Sequence, residues 1–337
     1  MHKASESTTL ERQNAAKARA WIISDGKAGH LAITTGVAEA MGLDYRVIPV
    51  SPRGLRRIFA PWAPVSPAKR PGSDTSPFRP PWPDFVFAAG RTTIPYLRSI
   101  HWAAAQDTFT VAFQDPRTGT RTADLIWVPE HDRLRGENVI TTPTAPHRFN
   151  AAMLERLRQT PPPEIAALPH PRMAVLLGGP SGAYSFTHQD VARMASLLVS
   201  AASCGASFMV TVSRRTPADL IASVGKAIED APSVFWKGCG DNPYAHFLAC
   251  ADMFLATADS INMTGEAAAT GRPVYVFHPK GGRAKFARFH ERLKAAGITR
   301  DAADRFERLD TWTYPPINAA EHVAAEIYRR WRARRSA

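Results

Sequence analysis

A run near the start of the chain, Ser24-Asp25-Gly26-Lys27-Ala28-Gly29-His30, joins an apolar segment ending at Ile23 to a helical pattern. Gly26 and Gly29 let a ligand approach the backbone, Lys27 offers a positive charge, and His30 adds an imidazole, a side chain suited to moving protons. Such a turn serves as a phosphate cradle, a catalytic corner or only a tight turn, and these residues alone leave the three open.

A second cluster begins at Gly178-Gly179-Pro180-Ser181-Gly182, where a strand pattern runs into glycine and a helix starts after Thr187. Glycines bring backbone N–H groups close to an anion, and a helix start adds a favourable dipole. The loop is neither a Walker A motif nor GxGxxG, and a plain strand-to-helix turn is the bland alternative. Ser213, Arg214 and Arg215 stand at another strand end, where an arginine fork suits a diphosphate. An ordinary salt bridge would account for one of the two arginines. In the stretch 253–270, Thr257, Asp259 and Ser260 close a strand. Met263 and Thr264 then fall in a first helical turn, where unpaired N–H groups can bind phosphate. Glu266 lies about half a turn on, able to hold two neighbouring ribose hydroxyls or merely to favour the helix start.

Elements with a consistent rhythm must carry these clusters. Apolar runs at 20–24, 45–50, 84–90, 108–114 and 124–130 read as buried parallel strands. Leu31, Thr34, Thr35, Val37 and Ala38 recur at helical spacing, with Gly42 as the stop. A second series follows: strands at 173–179, 207–215, 233–238, 253–260 and 273–279, with helices at 188–205 and 217–230. Strand-helix alternation predicts parallel sheets with right-handed crossovers. The chain of 337 residues has room for two such domains. The segment 158–172, with three successive prolines, reads as a stiff, extended connector, and the proline-rich stretch 61–83 as a surface loop inside the first domain.

The net charge of +12 favours anionic partners. No nucleic-acid reading motif accompanies it, so nucleic acid is not an expected partner. Cys204, Cys239 and Cys250 form no CxxC pair, which suits a reducing compartment. Residues 1–18 lack the layout of a signal peptide and read as a disordered tail. No apolar stretch is long enough for a transmembrane helix, so the expected location is the cytoplasm, with peripheral attachment to a membrane. That attachment is suggested by Arg53, Arg56 and Arg57 alternating with Leu55, Ile58, Phe59 and Trp62, a pattern suited to an anionic membrane surface. Five arginines after residue 328 add to the basic character.

The motifs "GGPSG", "SRR" and "TADSINMTGEAAATGRPV" resemble the donor-binding half of GT-B glycosyltransferases, above all the enzyme that adds N-acetylglucosamine in peptidoglycan lipid synthesis. The order "SDGKAGH", "QDPR", "VPEHD", "SRRTP", "TADSINM" resembles more closely the mitochondrial-fission "elongated mitochondria" family of plants and its bacterial relatives, over residues 20–330.

The resemblance implies an α/β, GT-B-like fold: two Rossmann-like domains with parallel sheets facing a central cleft. Residues 19–160 would form the acceptor domain, 161–317 the nucleotide-sugar domain, and 318–337 a helix packing back toward the first domain. Gly178, Gly179, Ser181, Ser213, Arg214, Arg215, Asp259, Ser260, Met263, Thr264 and Glu266 would bind the donor, with Glu266 in the ribose-binding position. Asp25, Gly26, Lys27, Gly29, Arg91, Gln114 and Arg117 would line the acceptor side, with Gly90, Thr92, Glu130, His131 and Asp132 at its rim. His30 and Asp115 would be catalytic, His30 taking a proton from an acceptor hydroxyl. No metal or cofactor is expected, the nucleotide-sugar being a substrate. The expected function is transfer of a sugar to a cell-envelope glycan or glycolipid, including lipopolysaccharide. The alternatives are a nucleotide-sugar epimerase on the same fold and a non-enzymatic membrane-surface protein.

Overall fold

The computed structural model describes residues 18–336. The expected tail at 1–18 therefore lies outside them except for Ala18, which is buried and accepts a hydrogen bond from the Asp44 N–H.

The first sheet contains β1 (Arg19–Ser24), β2 (Asp44–Pro49), β3 (Phe85–Ala89), β4 (Phe109–Phe113), β5 (Leu125–Pro129) and β6 (Val139–Thr142). All pair in parallel, in the order β2-β1-β3-β4-β5-β6. β3 and β4 are buried at every residue, as strands covered on both faces require. On one face Phe85, Phe87, Phe113 and Trp127 pack with Ile33 and Val37 of α1 (Ala28–Ala40). On the other, Val86, Ala88 and Ile126 pack with Leu97 and Ile100, from a helix at Ile94–Ala104, and with Phe78 and Val65 of the proline-rich loop. That loop also carries one helical turn, α2 (Leu55–Ile58), ahead of its prolines; the helix at Ile94–Ala104 is α3.

The second sheet contains β7 (Arg172–Leu177), β8 (Ser207–Val212), β9 (Ser233–Trp236), β10 (Met253–Thr257), β11 (Val274–Phe277) and β12 (Thr299–Asp301). Its parallel order, β12-β11-β10-β7-β8-β9, is the doubly wound dinucleotide-fold order read from the far edge. Seven helices belong with it: α4 (Ala151–Gln159), α5 (Pro163–Ala166), α6 (His188–Ser203), α7 (Ala218–Ala227), α8 (Tyr244–Cys250), α9 (Ile261–Ala268) and α10 (Ala284–Ala295). α6 starts in a reciprocal cap, Thr187 accepting from the Asp190 N–H while Asp190 accepts from the Thr187 N–H.

The chain divides into two units at Arg148, and the segment from Asn318 onward belongs to the first. The expected domain end at 160 differs from this division by α4, which packs on α8 within the second unit. The proline triplet is not an extended connector. Pro163 begins α5, where its missing N–H costs nothing, and Ile165 and Leu168 bury in the second unit's core. The last helix, α11 (Ala319–Arg335), sets Ala320, Val323, Ala324 and Ile327 against the first sheet's core, and Trp331 packs on Phe85 with ring centroids 5.1 Å apart. Its arginines are not all solvated: Arg334 pairs with Asp124 at 2.8 Å, and Arg330 pairs with Glu326 and donates to the Glu137 carbonyl at 2.7 Å. Among the described residues no helix is long and apolar enough to cross a membrane.

Candidate functional site

Each sheet has one point where successive crossovers leave in opposite directions, and ligands of open α/β sheets collect outside the strands' carboxyl ends there. In the first sheet this point lies between β1 and β3, and in the second between β7 and β10.

At the first point, Asp25 follows β1 and is almost fully buried. Its Oδ1 lies 3.0 Å from His30 Nδ1 and accepts the Lys27 N–H at 3.2 Å, while Oδ2 lies 3.3 Å from Lys27 Nζ and accepts from Thr92 at 3.4 Å. Burial works to raise the Asp25 pKa, but the Lys27 N–H, the hydrogen bond and electrostatic interaction with His30, and the Lys27 charge outweigh it and hold the carboxyl below its ordinary value. Gly26 has φ 79°, so this tight turn needs glycine, and Gly29 sits in the first turn of α1. Across the switch point Gly90 follows β3 with φ 89°, and a Cβ there would stand 2.3 Å from His30 Cε1. A side chain at 90 would thus evict the imidazole. Thr92, mentioned only at the rim from sequence, is a direct partner of Asp25.

Other first-unit candidates make hydrogen bonds of their own. Asp115 is exposed, and its carboxylate accepts the Arg117 N–H at 2.8 Å in a local turn. Among the described residues no hydrogen bond joins it to Asp25 or His30. Gln114 and Arg117 both have positive φ, which marks the turn after β4 as strained. Arg91 is exposed and donates to the Arg57 carbonyl at 3.4 Å.

At the second point the structure brings Gly178, Gly179, Arg215 and Asp259 together. The Gly178 N–H donates to Thr257 Oγ1 at 2.8 Å and the Gly179 N–H to Asp259 Oδ2 at 2.9 Å. Arg215 reaches the same Oδ2 at 3.0 Å and the carbonyls of Gly179 and Pro180 at 2.7 and 3.0 Å. Both glycines are sterically required: a Cβ on Gly178 would lie 2.3 Å from the Asp259 oxygens, and one on Gly179 2.1 Å from the Arg215 carbonyl oxygen. Asp259 and Arg215 were expected to touch a donor. In the structure both brace the glycine loop, because the Asp259 side chain is wholly buried and its charge needs a partner. Arg214 stands exposed, and Ser213 bonds Thr216 at 3.0 Å. Thr216, unassigned from sequence, also donates to the Gly178 carbonyl at 2.6 Å; the Ser-Arg-Arg-Thr-Pro run was its only signal. Ser181 accepts the Ala183 and Tyr184 N–H groups at 3.2 Å, closing the loop on itself.

The start of α9 corrects a further expectation. Ser260 caps it and accepts the Met263 N–H, and the Thr264 N–H bonds the Ser260 carbonyl. Neither is an open donor; the N–H groups without intrahelical partners are those of Ile261 and Asn262. Glu266 is half-buried and receives a short hydrogen bond from the Tyr244 hydroxyl. Burial pushes its carboxyl up to about 7, against that bond, and the Tyr244 phenol is raised by burial and by Glu266. Tyr244 had no sequence signal, since it lies 22 residues from Glu266. Behind the site His290 bonds the Ala258 carbonyl at 2.8 Å, and burial lowers it to about 4, so it is neutral at pH 7.

A family model described as "Mitochondrial fission ELM1" matches residues 28–331. The chain belongs to the mitochondrial fission ELM1 family. Its resemblance to a relative titled "Mitochondrial fission protein ELM1" from Arabidopsis thaliana is 32% identity over 278 residues, covering 75% of this chain and 65% of that protein. An uncharacterized Rickettsia prowazekii protein, RP120, is 32% identical over 189 residues, covering 53% of this chain and 51% of its own length. The chain thus spans between half and two thirds of the length of these relatives. Among solved structures, a UDP-GlcNAc 2-epimerase from Neisseria meningitidis bound to UDP-GlcNAc is similar with TM-score 0.52 at 11% identity, covering 93% of this chain and 99% of the epimerase. At that identity the likeness is one of fold, and the chain has the expected GT-B-like architecture of two Rossmann-like units.

Proposed function

We propose that the protein is a glycosyltransferase that uses a nucleoside diphosphate sugar. The second unit holds the donor: backbone N–H groups at the start of α9 and exposed Arg214 receive the diphosphate, and Glu266 receives ribose hydroxyls. The first unit activates the acceptor. His30 uses Nε2 to take the proton of an acceptor hydroxyl, whose oxygen bonds to the anomeric carbon as the bond to the diphosphate breaks. The electron pair leaves with the nucleoside diphosphate, whose charge the helix start and arginine offset. Asp25 fixes the ring by accepting from Nδ1–H and balances the imidazolium that forms.

The observation that carries this reading is the bond between His30 Nδ1 and buried Asp25 at a sheet's switch point. A base oriented this way suits proton removal from a hydroxyl. A cell-envelope glycan or glycolipid is the acceptor class proposed. The test measures nucleotide-sugar binding by calorimetry and sugar transfer to a lipid-linked acceptor. His30→Ala is expected to abolish transfer and leave donor binding within about twofold. Equal loss of both would sink the role given to His30, and isomerisation of the sugar with no acceptor present would favour an epimerase.

A further inference from the structure

Seven large apolar side chains are exposed among the described residues, and four of them lie within eight positions: Leu55, Ile58, Phe59 and Trp62, between 57% and 70% exposed. Scattered exposed apolar residues need no explanation, but a cluster does. The backbone carrying them is firmly seated. Ala60, Ala63 and Val65 are buried, and the Trp62 and Ala63 N–H groups both bond the Phe59 carbonyl. The four side chains are therefore held outward by an ordered segment.

The charge around them is of one sign. Arg53, Arg56 and Arg57 are exposed between the apolar positions. Arg91 and Arg98 bring two more guanidinium groups to the same segment, bonding the carbonyls of Arg57 and Trp62. No Asp or Glu occurs between Asp44 and Asp74.

We infer that this surface docks on an anionic lipid bilayer, with Leu55, Ile58, Phe59 and Trp62 entering the headgroup–acyl boundary and the arginines meeting lipid phosphates. Bulky aliphatic and aromatic side chains interleaved with arginine suit such an interface. A second copy of the chain would present the same cations to themselves, which like-charge repulsion disfavours. The surface also adjoins the Asp25–His30 pair: Arg91, which touches it, directly follows Gly90, which lies against His30. An acceptor anchored in that bilayer would meet His30 close to the headgroups. The docking itself does not depend on the transfer reading.

The test is flotation of the full chain with phosphatidylcholine vesicles, with and without about 30% phosphatidylglycerol, over a salt series. The expected result is binding to the anionic vesicles that weakens as salt rises. Ile58→Asp with Phe59→Asp should weaken it at least about tenfold. Each of Arg56→Gln and Arg57→Gln should weaken it roughly fivefold. All these side chains are exposed, so the unfolding temperature should stay unchanged, which separates lost docking from lost folding. Absence of binding to anionic vesicles would overturn the inference, as would unaltered binding by the variants. A fall in oligomer mass caused by Ile58→Asp with Phe59→Asp would overturn it too, by assigning the surface to a second copy.

Discussion

Gly178→Ala tests the brace beneath the second unit's glycine loop. The new Cβ would stand 2.3 Å from both carboxylate oxygens of Asp259, a distance no real contact tolerates, so the carboxylate must swing away. Swinging breaks its bonds to the Gly179 N–H and to Arg215. The first is a buried bond to a charged acceptor, worth roughly 2 kcal/mol. Arg215 is 44% exposed, so its share is discounted for solvent screening to about 1 kcal/mol. The sum, about 3 kcal/mol, corresponds to roughly 6–12 °C of unfolding temperature for a domain of this size. Calorimetric unfolding of wild type, Gly178→Ala, Asp259→Ala and the double variant forms a cycle. If the clash is the cause, the glycine substitution should cost little once Asp259 is already Ala. An equal cost in both backgrounds, or a shift of less than about 2 °C for Gly178→Ala alone, would refute the reasoning.

Two further predictions concern pH and the last helix. Glu266 has a folded pKa of about 7 against an ordinary value of 4.5, so the native state holds its proton more tightly than the unfolded chain. Its contribution to stability is fully present below about pH 4.5 and declines by up to about 3 kcal/mol as pH rises to 7. Denaturant titrations across that window should show Glu266→Gln removing the decline, and an unchanged pH profile would exclude Glu266 as its source. Ile327→Ala opens a void under α11 beside the first sheet, and a cost of about 2–5 kcal/mol is expected. Unfolding should show the loss in a first-unit probe such as Trp331 fluorescence, and a loss confined to the second unit would contradict the packing of α11.

Much of the fold was legible locally. The expected strands matched β1 to β5 and β7 to β11 to within a few residues, the strands covered on both faces most clearly because they are apolar throughout. Weaker elements escaped. β6 and β12 are short edge strands, and α8 is only seven residues long. The proline triplet misled, since proline reads as extended until its position at a helix start is known.

The candidate site divides the same way. Asp25, Gly26 and His30 were each singled out from the sequence, but the contact of the carboxylate with the imidazole, made across five residues of turn and helix, is seen only in the structure. Arg214 and Arg215 looked equivalent in sequence. Only the fold separates them: both are exposed, but Arg215 pairs with Asp259, 44 residues away, and bonds the Gly179 and Pro180 carbonyls. Likewise Met263 and Thr264 sat in the right turn, but the Ser260 cap had already engaged the first of their N–H groups.

By itself the sequence determined the alternation of strand and helix, the glycines at strand ends and the basic, apolar stretch after β2. These follow from local periodicity, turn chemistry and composition, which need no knowledge of what lies opposite. Tertiary structure decided which charges are spent on bracing and which remain available. That depends on strand order, because β7 lies beside β10 only through parallel crossovers spanning some 80 residues. A carboxylate such as Asp259 is a brace or a ligand according to what that neighbour delivers, and a buried charge takes whichever partner removes the cost of its lost water.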